Sequence, residues 1–314
     1  MGAGGTDTVV GRGRRTLAAR STFTREHRPM SDQQTWFITG ASRGFGLELT
    51  RQLLAAGHRV AATSRDAAEL RRAVGGDADG FLPLAADLVS EATVADAVRA
   101  AVERFGHIDV VVNNAGYGQL GSLEELTDAE ARANFDVNVF GTLNVIRQVM
   151  PQLRAQGGGR VINISSIAGI VGGFAGWGVY CATKFAVEGL SEALAAEAAP
   201  FGVRVTSVAP RYFRTNFLSS GSLRLAAGPI DDYALVRQSE AYHQEHVVGN
   251  QPGDPAKAAA ALIRLAAEPE PPLHLLLGQD AHDLATGKLQ SMTDEIERWK
   301  SVTLSTGFDA APAA

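Results

Sequence analysis

Residues 35–46 read Thr-Trp-Phe-Ile-Thr-Gly-Ala-Ser-Arg-Gly-Phe-Gly, with glycines at Gly40, Gly44 and Gly46. The apolar run at 35–39 predicts a short buried strand, and the apolar spacing over 47–56, stopped by Gly57, predicts a helix. A strand, a glycine turn and a helix in that order bring free backbone amides and the positive end of the helix to one point, where a pyrophosphate can bind. Glycine suits the turn because it lets the backbone bend sharply and approach a ligand closely. The spacing is Gly-x-x-x-Gly-x-Gly, not the common Gly-x-Gly-x-x-Gly.

The same alternation runs on downstream. Strands are expected at 58–63, 81–85, 108–112, 160–164, 203–208 and 273–277. Helices are expected at 67–74, 91–105, 179–199, 255–267 and 280–300, with a long helical region over 128–156 broken near Asn134. The β-branched run at 108–112 suits a strand buried on both faces. Seven strands separated by helices predict one doubly wound parallel sheet of Rossmann type, with helices on both faces. Between Pro210 and Gly253 local signals are irregular, and a loop that long is expected to be a substrate lid at about 211–253.

Composition narrows the function classes. Of 314 residues, 45% are hydrophobic and 20% charged, which excludes a wholly disordered or fibrous chain. The net charge of −5 gives no reason to expect a nucleic-acid partner. Within it, residues 1–29 carry six arginines against Asp7 and Glu26, so they read as a disordered extension or an upstream start before Met30. Residues 30–314 are then expected to form a single domain. The single cysteine, Cys181, excludes an internal disulfide and fits a reducing, cytoplasmic location. Residues 161–183 are uncharged but hold five glycines, Asn163, Ser165 and Ser166, which suits a buried strand and a loop better than a membrane helix.

Further motifs follow in order: Asn113-Asn114-Ala115-Gly116 after the fourth strand, Asn138 in the long helical region, Ser165-Ser166 after the fifth strand, and Tyr180-x-x-x-Lys184 on a helix. Together with the glycine turn they resemble the short-chain dehydrogenase/reductase family over residues 33–280. That resemblance implies an NAD(P)-dependent enzyme moving hydride between the nicotinamide and a secondary alcohol or ketone. It assigns Tyr180 as general acid/base, Lys184 to lowering the phenol's pKa while holding the nicotinamide ribose, Ser166 to the substrate oxygen, with Ser165 as the alternative, and Asn138 to a proton relay. A structural alternative makes Asn138 a buried helix-kink residue.

For the cofactor, the resemblance implies contacts from Gly40, Ser42, Arg43, Gly44, Phe45 and Gly46, from Ser64 and Arg65, from Asp87 and Leu88, from Asn114, Ala115 and Gly116, from Tyr180 and Lys184, and from Pro210 and Thr215. The second strand ends in Ser64 where an NAD site usually carries an acid, and Arg43 and Arg65 suit a 2′-phosphate, so NADP(H) is the expected cofactor. Arg65 has a plainer reading as a surface charge paired with Asp66, and Asp87 as a turn or cap residue. Arg211 stands where the family usually has glycine. Tyr212, Phe213 and Phe217 are read as substrate-pocket lining or as lid packing. Cys181 reads as a small core residue, and His243 with His246 as a solvated helix face, with no metal expected.

Two other readings stay open: a nucleotide-sensing regulator that keeps the fold without turnover, and a nucleotide-sugar epimerase or dehydratase. No membrane partner is expected, and the resemblance implies a homodimer or homotetramer through the helices around 138–156 and 179–199.

Overall fold

The computed structural model describes residues 1–2, 33–218 and 221–308, so the expected extension at 1–29 lies, but for its first two residues, outside the described residues. Strand β1 (Thr35–Ile38) leads through the glycine turn into helix α1 (Gly44–Ala55). Next come β2 (Arg59–Ser64), α2 (Ala67–Val74), β3 (Phe81–Ala85), α3 (Glu91–Phe105) and β4 (Val110–Asn113). Local chemistry fixes these boundaries: the Asp66 carboxylate accepts from the amides of Ala68 and Glu69 to start α2, and Gly75 ends it in the left-handed conformation.

A short strand β5 (Gly118–Leu120) precedes α4 (Asp128–Phe135), which opens on a reciprocal Thr127 and Glu130 capping box. The break expected near Asn134 falls instead at Asp136–Phe140, one widely wound π-helical turn between α4 and α5 (Gly141–Gln156). Such a turn inserts a residue without needing glycine or proline. Then follow β6 (Gly159–Ile164), α6 (Gly178–Ala198) and β7 (Val203–Pro210). The region read as irregular holds β8 (Leu223–Leu225), which pairs with β5, and α7 (Ala234–Tyr242). Helix α8 (Pro255–Ala267), β9 (His274–Leu277), α9 (Gln279–Arg298) and α10 (Lys300–Leu304) complete the described order.

Seven strands form one parallel sheet in the order β3-β2-β1-β4-β6-β7-β9, the doubly wound arrangement expected. Side chains alternate across it. Trp36, Ile38, Val110 and Val112 pack on one face against Leu49 and Leu53 of α1 and Leu262 of α8. Phe37 and Val111 pack on the other against Val94 and Val98 of α3 and Val145 and Val149 of α5. With both faces covered, ligands are left the carboxyl edge, and the reversal of strand order between β1 and β4 opens a crevice there. Among the described residues, no helix is long and apolar enough to cross a membrane.

Candidate active site

A cavity of about 530 Å³ opens at that edge, lined by residues that follow β1, β2, β3, β4, β6 and β7. Every residue expected at the site lines it except Gly46 and Asn138, which stand behind its wall.

At the β1 end the turn is locked by its own packing. Asn114 donates from Nδ2 to the carbonyls of Thr39 (2.9 Å) and Gly40 (3.0 Å). A side-chain carbon on Gly40 would stand 2.8 Å from Ala115 Cα, and Gly40 has a φ of +66°, so glycine is required on both counts. No side chain caps the first turn of α1, which leaves its amides available to an anion. Arg43 and Arg65 line the same end, and among the described residues neither is in an ion pair; Asp66 caps α2 instead of pairing with Arg65. A glycine cradle, an uncapped helix start and two guanidinium groups fit a dinucleotide's phosphates. Asp87 lines the cavity and also accepts the amide of Val89 at 3.1 Å, holding the turn after β3.

At the β6 end, Tyr180 and Lys184 project from α6 into the cavity, both buried. Burial pushes the Tyr180 phenol well above its ordinary pKa, and a hydrogen bond with Ser166 pulls it part of the way down. Lys184 is brought down to about 8 by burial, against the upward pull of Glu188. Its Nζ donates to the Ile164 carbonyl (2.9 Å) and lies 5.8 Å from the Tyr180 ring centre. In the chain alone, burial dominates the phenol's pKa and moves it upward, opposite to the expected acidification. Ser165 turns away to the Lys184 carbonyl (3.4 Å).

Asn138 is a kink residue in the π-helical turn and also braces the site. Its Oδ1 accepts from the Tyr117 amide (3.0 Å), and its Nδ2 donates to Tyr117 O (3.0 Å) and Thr183 Oγ1 (3.1 Å). Thr183 in turn donates to Tyr180 O (2.7 Å), so Asn138 ties β4's exit loop to the helix carrying Tyr180.

Beyond Tyr180 the cavity becomes aromatic. Phe174, Trp177, Phe217 and Leu218 line it, and Tyr212 and Phe213 border it too, with Phe213 set edge-on to Phe45 at 5.0 Å. The Arg211 guanidinium lies over the Tyr212 ring and 3.7 Å from Asp280 at the start of α9, which turns its bulk from the loop's path. His243 corrects the sequence reading. It is buried rather than solvated, lines the cavity, and shares a hydrogen bond of 3.0 Å with the Tyr212 hydroxyl. Burial lowers its pKa, which favours the neutral ring. Trp177 sits three residues before Tyr180 at the start of α6, whereas His243 carries no local motif and only the fold brings it onto Trp177. Cys181 is buried, its thiol pushed up to about 11 by burial, which leaves it protonated and unreactive.

Residues 34–223 match the family model described as short chain dehydrogenase. The chain is 33% identical over 272 residues to "Oxidoreductase BOA17" of Botryotinia fuckeliana, covering 86% of this chain and 98% of that protein. Among solved structures, it resembles a short-chain dehydrogenase from Streptomyces avermitilis with 39% identity and a TM-score of 0.80, over 88% of this chain and 100% of that one. It also resembles a 3-ketoacyl-(acyl-carrier-protein) reductase from Brucella melitensis complexed with NADH, at 28% identity and a TM-score of 0.64 over 79% of this chain and 98% of that one. A short chain dehydrogenase from Burkholderia cenocepacia in complex with NADP stands at 27% and 0.66, over 85% and 97%.

Proposed function

This chain belongs to the short chain dehydrogenase family, and from that premise we propose that it is an NADP(H)-dependent oxidoreductase acting on a secondary alcohol or ketone. The observation that carries the reading is the placing of Tyr180, with Ser166 bonded to it and Lys184 beside it, in one cavity with the glycine turn and two unpaired arginines.

When bound, the nicotinamide supplies or accepts the hydride. The chain's residues do the rest. Arg43 and Arg65 would hold the 2′-phosphate, and the uncapped amides at the start of α1 the pyrophosphate. Gly116, Pro210 and Thr215, which line the same cavity, would border the nicotinamide, and Lys184 would hold its ribose. Ser166 and Tyr180 both donate hydrogen bonds to the substrate oxygen. In reduction the Tyr180 O–H bond would break and its proton pass to the substrate oxygen, which Ser166 holds in place. Oxidation runs the same transfers backward. The buried phenol carries the proton that reduction uses, and the same group, deprotonated, would accept it in oxidation.

Relatives solved with NADH and with NADP stand at similar distances, so the cofactor preference rests on charge. Ser64 ends β2 without a carboxylate to repel a phosphate, and the two arginines attract one. Loss of absorbance at 340 nm with NADPH and a panel of ketones tests the activity. Tight NADPH binding with no turnover of any ketone or alcohol would overturn it in favour of a sensing role. The segment at 211–253 serves as the lid over the substrate, and α5 and α6 form the interface of a homodimer or homotetramer.

A further inference from the structure

Past Tyr180 the cavity wall is aromatic, and one polar cluster interrupts it. The centre of the Trp177 ring stands 5.6 Å from that of Tyr180 on one side and 5.1 Å from that of His243 on the other, so the cluster begins one indole away from the reacting phenol. His243 Nδ1 lies 2.6 Å from the Ser239 carbonyl, which can only accept, and that nitrogen therefore carries the proton. In the neutral ring that burial favours, Nε2 is then an acceptor, and the bond of 3.0 Å runs from the Tyr212 hydroxyl to it. With its proton committed there, the Tyr212 oxygen has only lone pairs left for a ligand.

Gln251 stands on the same wall. The Gly253 amide donates to the Tyr212 carbonyl (2.9 Å), and the Arg214 guanidinium donates to the Gln251 carbonyl (3.2 Å), which lays residues 251–253 alongside 212–214. Gln251 lines the cavity and is 2% exposed, yet among the described residues its Oε1 has no hydrogen-bond partner. A buried amide left unpaired is unfavourable, and a ligand that brings a donor recovers the loss. The last torsion of a glutamine is broad, so the oxygen can turn to meet a group in the cavity.

The cluster thus offers two acceptors, the oxygens of Tyr212 and Gln251. A carboxylate, ether or second ketone brings only acceptors against them. Arg211 does not make the end an anion site, because its guanidinium lies over the Tyr212 ring and is met by Asp280 at 3.7 Å. An ammonium would lack a counter-charge: among the described residues the acid lining the cavity is Asp87, which follows β3 at the nucleotide end. A hydroxyl supplies the donor without a charge.

We propose that this end is a hydroxyl subsite, and that the substrate is a ketone whose apolar ring body carries a hydroxyl on the side away from the reacting carbonyl. The ring packs against Trp177 and Phe217, and the hydroxyl donates to Gln251 Oε1. Gln251 is then the residue that sets specificity, at a distance from the chemistry that one ring spans.

The inference rests on the ketone reading above, so binding and turnover are measured separately. Calorimetric titration of the full chain, saturated with oxidised cofactor, uses 1-tetralone, its 5-, 6- and 7-hydroxy derivatives and the matching methoxy and carboxy compounds. At least one hydroxy isomer is expected to bind tenfold or more tighter than 1-tetralone, while its methoxy and carboxy counterparts gain nothing. In Gln251→Met, with Gln251→Leu as the second variant should the first fail to fold, that ratio is expected to fall below threefold. Wild type that binds no probe, or binds every hydroxy isomer no tighter than the parent, would overturn the proposal, as would a carboxy compound that binds best or a ratio kept in the variant. A hydroxy isomer that binds with the expected preference but is not reduced with NADPH upholds the subsite and sinks the reaction instead.

Discussion

Gly116 and Asn138 stand so close that a side-chain carbon on Gly116 would lie 3.0 Å from Asn138 Oδ1, and 3.6 Å from Lys184 Nζ. The glycine therefore leaves room for the two groups that brace the wall behind Tyr180. Gly116→Ala is expected to push the Asn138 amide off its two bonds to Tyr117, costing about 1–3 kcal/mol of stability as an overpacked site does. Activity is expected to fall further than stability, because Asn138 reaches α6 through Thr183. Thermal unfolding set beside kcat separates the two effects; a variant with wild-type kcat would detach Asn138 from the site.

Tyr180→Phe removes a hydroxyl and leaves the ring edge-on to Trp177, 5.6 Å between centres. Turnover is expected to drop by on the order of 10²–10⁴-fold, the usual worth of a positioned proton donor. NADPH affinity, read by fluorescence titration, is expected to stay close to wild type because the phosphate-binding end is untouched. A variant that keeps its rate would take Tyr180 out of the chemistry.

In the proposed reading cofactor choice rests on exposed positive charge, so the expected effects are moderate and salt-dependent. Arg65→Ala is expected to lower kcat/KM for NADPH by about tenfold, the scale of one charge-assisted hydrogen bond, with little change for NADH. The ratio of the two constants is the measurement. An unchanged ratio would leave Arg65 as a solvated surface charge.

Much of the architecture could be read beforehand because its signals are local. Helix α2 starts at an aspartate cap and ends at a left-handed glycine, and α8 starts at Asp254 with Pro255 in its first turn. The β-branched stretch in β4 admits few alternatives. What escaped reading depends on distant partners. Strands β5 and β8 are three residues each and exist because they meet each other. Helix α7 buries only Val236, too little for a periodic signal. In the site, residues in motifs could be named from their spacing, whereas His243 reaches the cavity by packing on Trp177 and bonding to Tyr212, 31 positions away. The upward shift of Tyr180 in the chain alone was not legible for the same reason: the helix pair suggests an ammonium beside a phenol, but burial of both groups is a tertiary property.

That burial sets the pH dependence. A lysine brought down from 10.5 to about 8 is mostly charged at about pH 7 and mostly neutral at about pH 9. Tyr180, held above its ordinary value, stays protonated across that window. As pH rises, the group lost first is thus the ammonium, while the proton donor remains in place. For ketone reduction with saturating NADPH, kcat/KM is expected to be level below about pH 7 and to fall through a single ionisation near 8. In Lys184→Met the ionisation is expected to vanish from the profile, leaving a low, flat rate. A wild-type fall centred near 10 would assign the limb to the phenol, and persistence of the fall near 8 in the variant would assign it to another group.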